Sequence, residues 1–168
     1  MLDAAFFMQL VSQYGYFGAF LGSLVSSLSL FFPVPSFLFT IAAGTLLNPF
    51  WVGIIAGTGA AIGEMIGYPI GRGISYGLKK KKKSRVKSKF ELKLNRLIKK
   101  WFDRKLGPVI IFLFAVSPLP DDFVVIFCGI IKYDVKRLFI SMLAGKIVFS
   151  LVLAYAGYYG IDILLAYF

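Results

Sequence analysis

Histidine is absent from the 168 residues, and cysteine occurs once, as Cys128. Without an imidazole there is no histidine metal site, no histidine-dependent phosphatase and no intramembrane protease of the Ser/His type, because each needs that ring as ligand or base. A single thiol forbids an intrachain disulfide. Its apolar flanks, from Val124 to Ile131, mark it as an inert buried side chain. Charge is scarce too: 16% of residues carry one, and 8 acids stand against 19 bases. From Ala4 to Gly63 no Asp, Glu, Lys or Arg occurs. So long an uncharged stretch must be solvated by something other than water, and the bilayer is the solvent that fits.

What is present agrees. Hydrophobic residues make up 58% of the chain and aromatics 17%, against roughly 45–50% apolar in soluble domains, and the length allows about one domain, residues 1–168, embedded in the membrane. The bases are concentrated: Lys79 to Lys105 holds 14 of the 19, against Glu91 and Asp103 alone. A run such as Lys79 to Lys83 would suit nucleic acid in a soluble protein. In a membrane-soluble chain the positive-inside rule explains it, so no nucleic-acid partner is expected, and the 79–105 loop is placed on the cytoplasmic side of the plasma membrane. Within it, Phe90, Leu94, Leu97, Ile98, Trp101 and Phe102 fall at helical spacing between Lys93, Arg96, Lys99, Lys100 and Arg104. That pattern predicts an amphipathic helix lying among anionic head groups, with Lys93, Arg96, Trp101 and Phe102 at the membrane surface.

The uncharged stretch exceeds one crossing of about 20 residues and is punctuated by Pro33, Pro35 and Pro49. It divides into a membrane helix over Gly15 to Phe32, a second over Pro49 to Gly71, and Ser36 to Leu47 between them. The middle piece rises only roughly 18 Å as a helix, too little to cross, and reads as one limb of a re-entrant hairpin over 33–48. A single kinked helix is the plainer alternative. Helix-breaking backbone at membrane depth is tolerated only where it is buried in protein or lines a cavity. The second half, 107–160, has the same form: a short apolar limb from Leu106 to Pro120, then Asp121 and Asp122, then Phe123 to Ile131, forming a hairpin over 107–131, and a long helix over Leu138 to Ile161 interrupted by Lys146. Pro33, Pro35 and Gly44 match Pro118, Pro120 and Gly129 at one offset of 85. The fold expected is all-α and integral to the membrane: an inverted repeat with two opposed re-entrant hairpins, about three full membrane helices and one interfacial amphipathic helix.

Four charges then lie at depth. Lys146 is roughly 15 Å along its helix from Lys136, Glu64 roughly 12 Å from Arg72, and Asp121 and Asp122 follow a limb of roughly 17 Å. Each costs about 2.5–3.5 kcal/mol at the bilayer centre, so they should face one another or water. Ion pairs of Lys146 with Asp121 or Glu64 that only fix packing are one explanation; a polar substrate or proton site is the other. Ser36 and Asp121 stand at N-cap positions, so two half-helices would aim their positive ends inward, where they suit a phosphate.

Pro33-Val-Pro-Ser with Gly44, followed by Gly59-Ala-Ala-Ile-Gly63-Glu64-Met-Ile-Gly67-Tyr68-Pro-Ile-Gly71-Arg72, resembles the DedA family, also called the VTT or SNARE-associated family. The second half, Ser117-Pro-Leu-Pro-Asp-Asp122 with Gly129 and Gly145-Lys146, is similar to its archaeal and eukaryotic branches. The resemblance implies a lipid transporter, flippase or scramblase with two opposed re-entrant loops, and it matches Glu64 and Arg72 to the family's acidic and basic positions. Bacterial members carry an acidic residue after the first Pro motif and arginines around the second; here Ser36 takes the first place and no Arg lies between Gly107 and Ile131. Asp121, Asp122 and Lys146 are the residues available for those roles.

The expected function is passage of anionic phospholipid or polyprenyl-phosphate head groups through a polar cavity at mid-membrane. Glu64, Arg72, Asp121, Asp122, Lys146 and Ser36 are the transport residues, Pro33, Pro35, Pro118 and Pro120 the hairpin tips, and membrane lipids the partners, with a proton or cation as coupling ion. No cofactor and no enzymatic step is implied, since no nucleophile has an adjacent base. The alternatives are a proton- or ion-coupled small-solute transporter and a non-transporting membrane assembly factor.

Overall fold

The computed structural model describes residues 4–28, 36–81, 106–117 and 121–167. Its helices are α1 (Ala4–Leu28), α2 (Ser36–Leu46), α3 (Pro49–Glu64), α4 (Gly67–Lys81), α5 (Gly107–Val116), α6 (Asp122–Ile131) and α7 (Val135–Tyr167). Among the described residues there is no strand, so the all-α expectation holds. Two helical stretches are long and apolar enough to cross a membrane, Pro49–Tyr76 and Val135–Gly160. The contacts divide the chain into a first unit, Met1–Ile66 with Leu143–Phe168, and a second, Gly67–Met142.

Several boundaries differ from expectation, each for a local reason. The first helix begins at Ala4, not Gly15, because Ala4 to Tyr14 is itself uncharged and continues the apolar run. Gly15 takes φ 55°, a left-handed conformation open to glycine at little steric cost, and marks a kink inside the helix. The helix expected over Pro49 to Gly71 is interrupted after Glu64. There the N–H groups of Met65 and Ile66 donate to the carbonyls of Ile62 and Gly63 at 3.3 Å, an i to i+3 tightening, before α4 resumes and runs into the lysines. The last helix starts at Val135 because Asp134 accepts a hydrogen bond from the Arg137 N–H at 2.8 Å, drawing Lys136 and Arg137 into its first turn. The start of α3 at Pro49 is as expected; the Asn48 side chain caps it, accepting from the Phe50 N–H at 3.0 Å, and proline occupies the first helical position.

In the first unit α1 packs on α3 and α2, and α2 on α3, around Val11, Ala19, Phe39, Ala43, Val52 and Ala154. The packing relies on small residues in α3. A methyl group on Gly59 or Gly63 would come within 2.5 or 2.6 Å of the carbonyl oxygens of Phe20 and Leu24 on α1. On Gly53 or Gly57 it would come within 2.7 Å of the Cα atoms of Leu151 and Ile147 on α7. Two small-xxx-small patterns on one helix thus admit a neighbouring backbone on each of two faces, the means by which helices associate where lipid leaves no hydrophobic driving force.

In the second unit α4 packs on α6. A side chain at Gly71 would strike the Ile126 carbonyl, and one at Gly129 the Tyr68 carbonyl. The Tyr68 hydroxyl donates to the Tyr133 carbonyl at 2.8 Å. Lys132 ends α6 in the left-handed region, φ 60°, so that its own N–H and that of Tyr133 close onto the carbonyls of Gly129 and Cys128. Its ammonium lies 5.4 Å from the centre of the Tyr76 ring. Cys128 is fully buried, as its flanks implied.

The offset of 85 read from the prolines relates α2 to α6 at both ends, and the start of α3 to that of α7, to within one residue. The matched glycines behave alike: Gly44 meets the backbone of Ala154, and Gly129 that of Tyr68, each within its own unit.

Candidate functional site

The first unit holds a polar seam built from four helices. Glu64, the last residue of α3, accepts a salt bridge from Lys146 of α7 through its Oε1, and the two side chains are only 7% and 11% exposed. The pairing follows from the helix register. Gly53 lies against Leu151 and Gly57 against Ile147, so the α3 residue level with Lys146 is residue 58, and Glu64 lies about 9 Å further along the axis. Side chains lean toward the N-terminus of their helix, and on α7 that direction is toward Glu64. The long lysine stem covers the remaining distance.

Hydroxyl groups line a small space beside Lys146. A cavity of about 20 Å³ is lined by Ser23 of α1, Thr40 of α2, Ala60 of α3, and Lys146, Phe149 and Ser150 of α7. Ser23 is completely buried, Thr40 and Ser150 are each 4% exposed, and the space is sufficient for about one water molecule. The Oγ atoms of Ser23 and of Ser27, one turn apart on α1, are buried without a hydrogen-bond partner among the described residues. Ser27 packs against Gly63, the residue before Glu64. A buried lysine beside such hydroxyls can bind a small polar or anionic group: the ammonium is the positive charge, and Ser23 and Ser27 have bonding capacity to spare.

Of the residues expected from sequence, the structure brings Glu64 and Lys146 together, one of the two pairings weighed for the lysine. Ser36 is the first residue of α2. Arg72, Asp121 and Asp122 belong to the second unit. Asp121 is buried, with 6% exposure, and Asp122 and Arg72 are half-buried. Asp121 occupies the N-cap position of α6 as expected, but its backbone is right-handed helical and its side chain makes no capping hydrogen bond. Pro33, Pro35, Pro118, Pro120, Lys93, Arg96, Trp101 and Phe102 lie outside the described residues. Sequence reading missed Ser23, Ser27, Thr40 and Ser150. A signal existed: Ser23 with Ser27, and Lys146 with Ser150, are i, i+4 polar pairs on otherwise apolar helices, and such a pair faces one neighbour.

No match was found among curated proteins or among solved structures. The family model of the VTT domain matches residues 34–159, well over half of the chain, including both partners of the buried ion pair. By this match and by its apolar helices, the chain is a membrane protein that belongs to the VTT-domain family, the DedA or SNARE-associated family.

Proposed function

We propose that the chain transports lipid between leaflets, as a flippase or scramblase, by passing an anionic phospholipid or polyprenyl-phosphate head group along the polar seam of Glu64 and Lys146. The observation that carries this reading is the buried ion pair between α3 and α7, which belong to the two stretches apolar enough to cross a membrane, with hydroxyls of α1, α2 and α7 lining a space beside Lys146. A pair serving packing alone could be exchanged for apolar side chains of similar volume at little or no cost. Polar groups in excess of the pair's own needs are what a substrate path requires. Arg72, Asp121 and Asp122 act in the same transport cycle, and the segments 33–48 and 107–131 serve as the opposed re-entrant hairpins. Binding here is non-covalent throughout.

A second reading is favoured by one measurement. A cavity of about 20 Å³ admits a water-sized species, which suits a small solute or coupling cation without further opening, whereas a head group needs the helices to part. Reconstitution into liposomes separates the two. Lipid transport predicts that a fluorescent head-group-labelled phospholipid of the inner leaflet loses its protection from an impermeant quencher added outside, an effect abolished by Lys146→Met. Solute transport predicts uptake with the leaflets unmixed. Native lipid movement in the Lys146→Met variant would make the lysine a packing device.

A further inference from the structure

A second depression, far larger than the first, lies in the first unit where α2 turns into α3 and beside Tyr155 and Tyr158 of α7. It encloses about 380 Å³ and is lined by Thr45, Leu46, Asn48, Pro49, Tyr155 and Tyr158. That volume falls within the range of roughly 300–1,000 Å³ typical of ligand sites.

Among the described residues its lining is polar and carries no acidic or basic side chain. The C-terminal end of α2 and the N-terminal end of α3 meet there, so the two helix-end partial charges have opposite signs and offset each other. Neither a phosphate nor an ammonium is drawn in by such a field. Hydrogen-bonding groups of both kinds are on hand, however. Thr45 donates its hydroxyl proton to the Ala42 carbonyl at 2.7 Å and keeps its lone pairs. Asn48 uses its side-chain oxygen on the Phe50 N–H at 3.0 Å and keeps its two amide donors. The Tyr155 and Tyr158 hydroxyls serve as donor or acceptor. Tyr159 holds both rings: it stacks on Tyr155 with centroids 6.2 Å apart and meets Tyr158 edge-on at 5.2 Å. The hydroxyls are therefore held in place before a ligand arrives.

The place matters equally. One apolar span begins at Pro49, so the groove sits at the start of that span. Tyr158 of its lining is exposed, as are Phe50 and Trp51, which follow Pro49 in the chain, and Tyr159, which contacts both tyrosines; such aromatics are the composition found at head-group level. A ligand reaching it comes from the lipid surface.

We propose that this groove binds the neutral, hydroxyl-rich head group of a glycosylated lipid. The proposal goes beyond transport and does not depend on it, because it concerns equilibrium binding at the membrane surface and none of its residues belongs to the Glu64–Lys146 seam. Native mass spectrometry of the full chain, released from micelles carrying equal amounts of diglucosyl dioleoylglycerol, dioleoylphosphatidylglycerol and dioleoylphosphatidylcholine, tests it. The glycolipid should be retained at least fivefold over either phospholipid. Tyr155→Phe with Tyr158→Phe, which keeps the rings and removes the hydroxyls, should erase that preference, and Asn48→Asp, which keeps the helix cap and removes the amide donors, should weaken it in a chain whose helical circular dichroism is unchanged. Equal retention of the three lipids overturns the proposal, as does a preference for the phosphatidylcholine, which would make the tyrosines a cation site. Retention of free disaccharide as strongly as of the glycolipid would overturn the lipid assignment, and a preference untouched in both variants would overturn the location.

Discussion

Removing the ammonium of Lys146 leaves the Glu64 carboxylate buried without its cation, and stranding one member of a buried pair costs about 3–5 kcal/mol. Lys146→Met should therefore lower the free energy of unfolding in detergent by about that much, and adding Glu64→Gln should recover most of it without restoring lipid movement. The two changes are coupled, since the residues touch. Ser23→Ala separates stability from function differently. Its hydroxyl is fully buried with no hydrogen bond among the described residues, so its removal relieves a desolvation cost of about 1–3 kcal/mol. The variant should unfold no more easily than the parent while moving lipid more slowly, as read by chemical denaturation beside the liposome assay. Reduced stability with unchanged transport would assign the serine to packing.

Two glycines of α4 test how the helices meet. A Cβ on Gly71 would strike the Ile126 carbonyl and crowd the Gly129 Cα, both backbone and unable to yield, whereas one on Gly73 finds nothing within 4 Å. Gly71→Ala should cost about 1–3 kcal/mol through forced separation of α4 from α6. Gly73→Ala should gain about 0.5–1 kcal/mol, because alanine is the better helix former. Thermal unfolding of the two variants in one detergent measures the contrast, and similar melting temperatures would contradict close packing at Gly71.

For the whole molecule the testable property is orientation. The basic 79–105 loop and the turn bearing Lys132, Lys136 and Arg137 should face the cytoplasm, and the Asn48-Pro49 turn the opposite side. In a Cys128→Ser background, Asn48→Cys should react with an impermeant maleimide added outside intact cells, and Asp134→Cys only after the membrane is opened. The reverse pattern would invert the topology. Asn48 and Asp134 are both exposed, so access is governed by the membrane and not by the protein's packing.

The helix types and most of their extents were legible in the chain because the cues are local. An uncharged run has one stable conformation in lipid, proline and asparagine cap α3 through neighbouring atoms, and the offset of 85 recurs in helix boundaries set by the same residues. Glu64 and Lys146 could be singled out for the same reason, as charges too costly to stand alone in an apolar segment. Local sequence could not decide which carboxylate the lysine would choose. That depended on the antiparallel register of α3 and α7, and the register depends on Gly53 and Gly57 admitting the α7 backbone, a contact between residues nearly a hundred positions apart. The kink at Gly15 and the break after Glu64 also had to await the fold, since a glycine or an isoleucine inside an apolar run permits a bend without requiring one. Ser23, Thr40 and Ser150 became one cavity only when three helices converged on Lys146. Composition determined that this chain must fold within a membrane, and the packing of its small residues decided where the polar groups would meet.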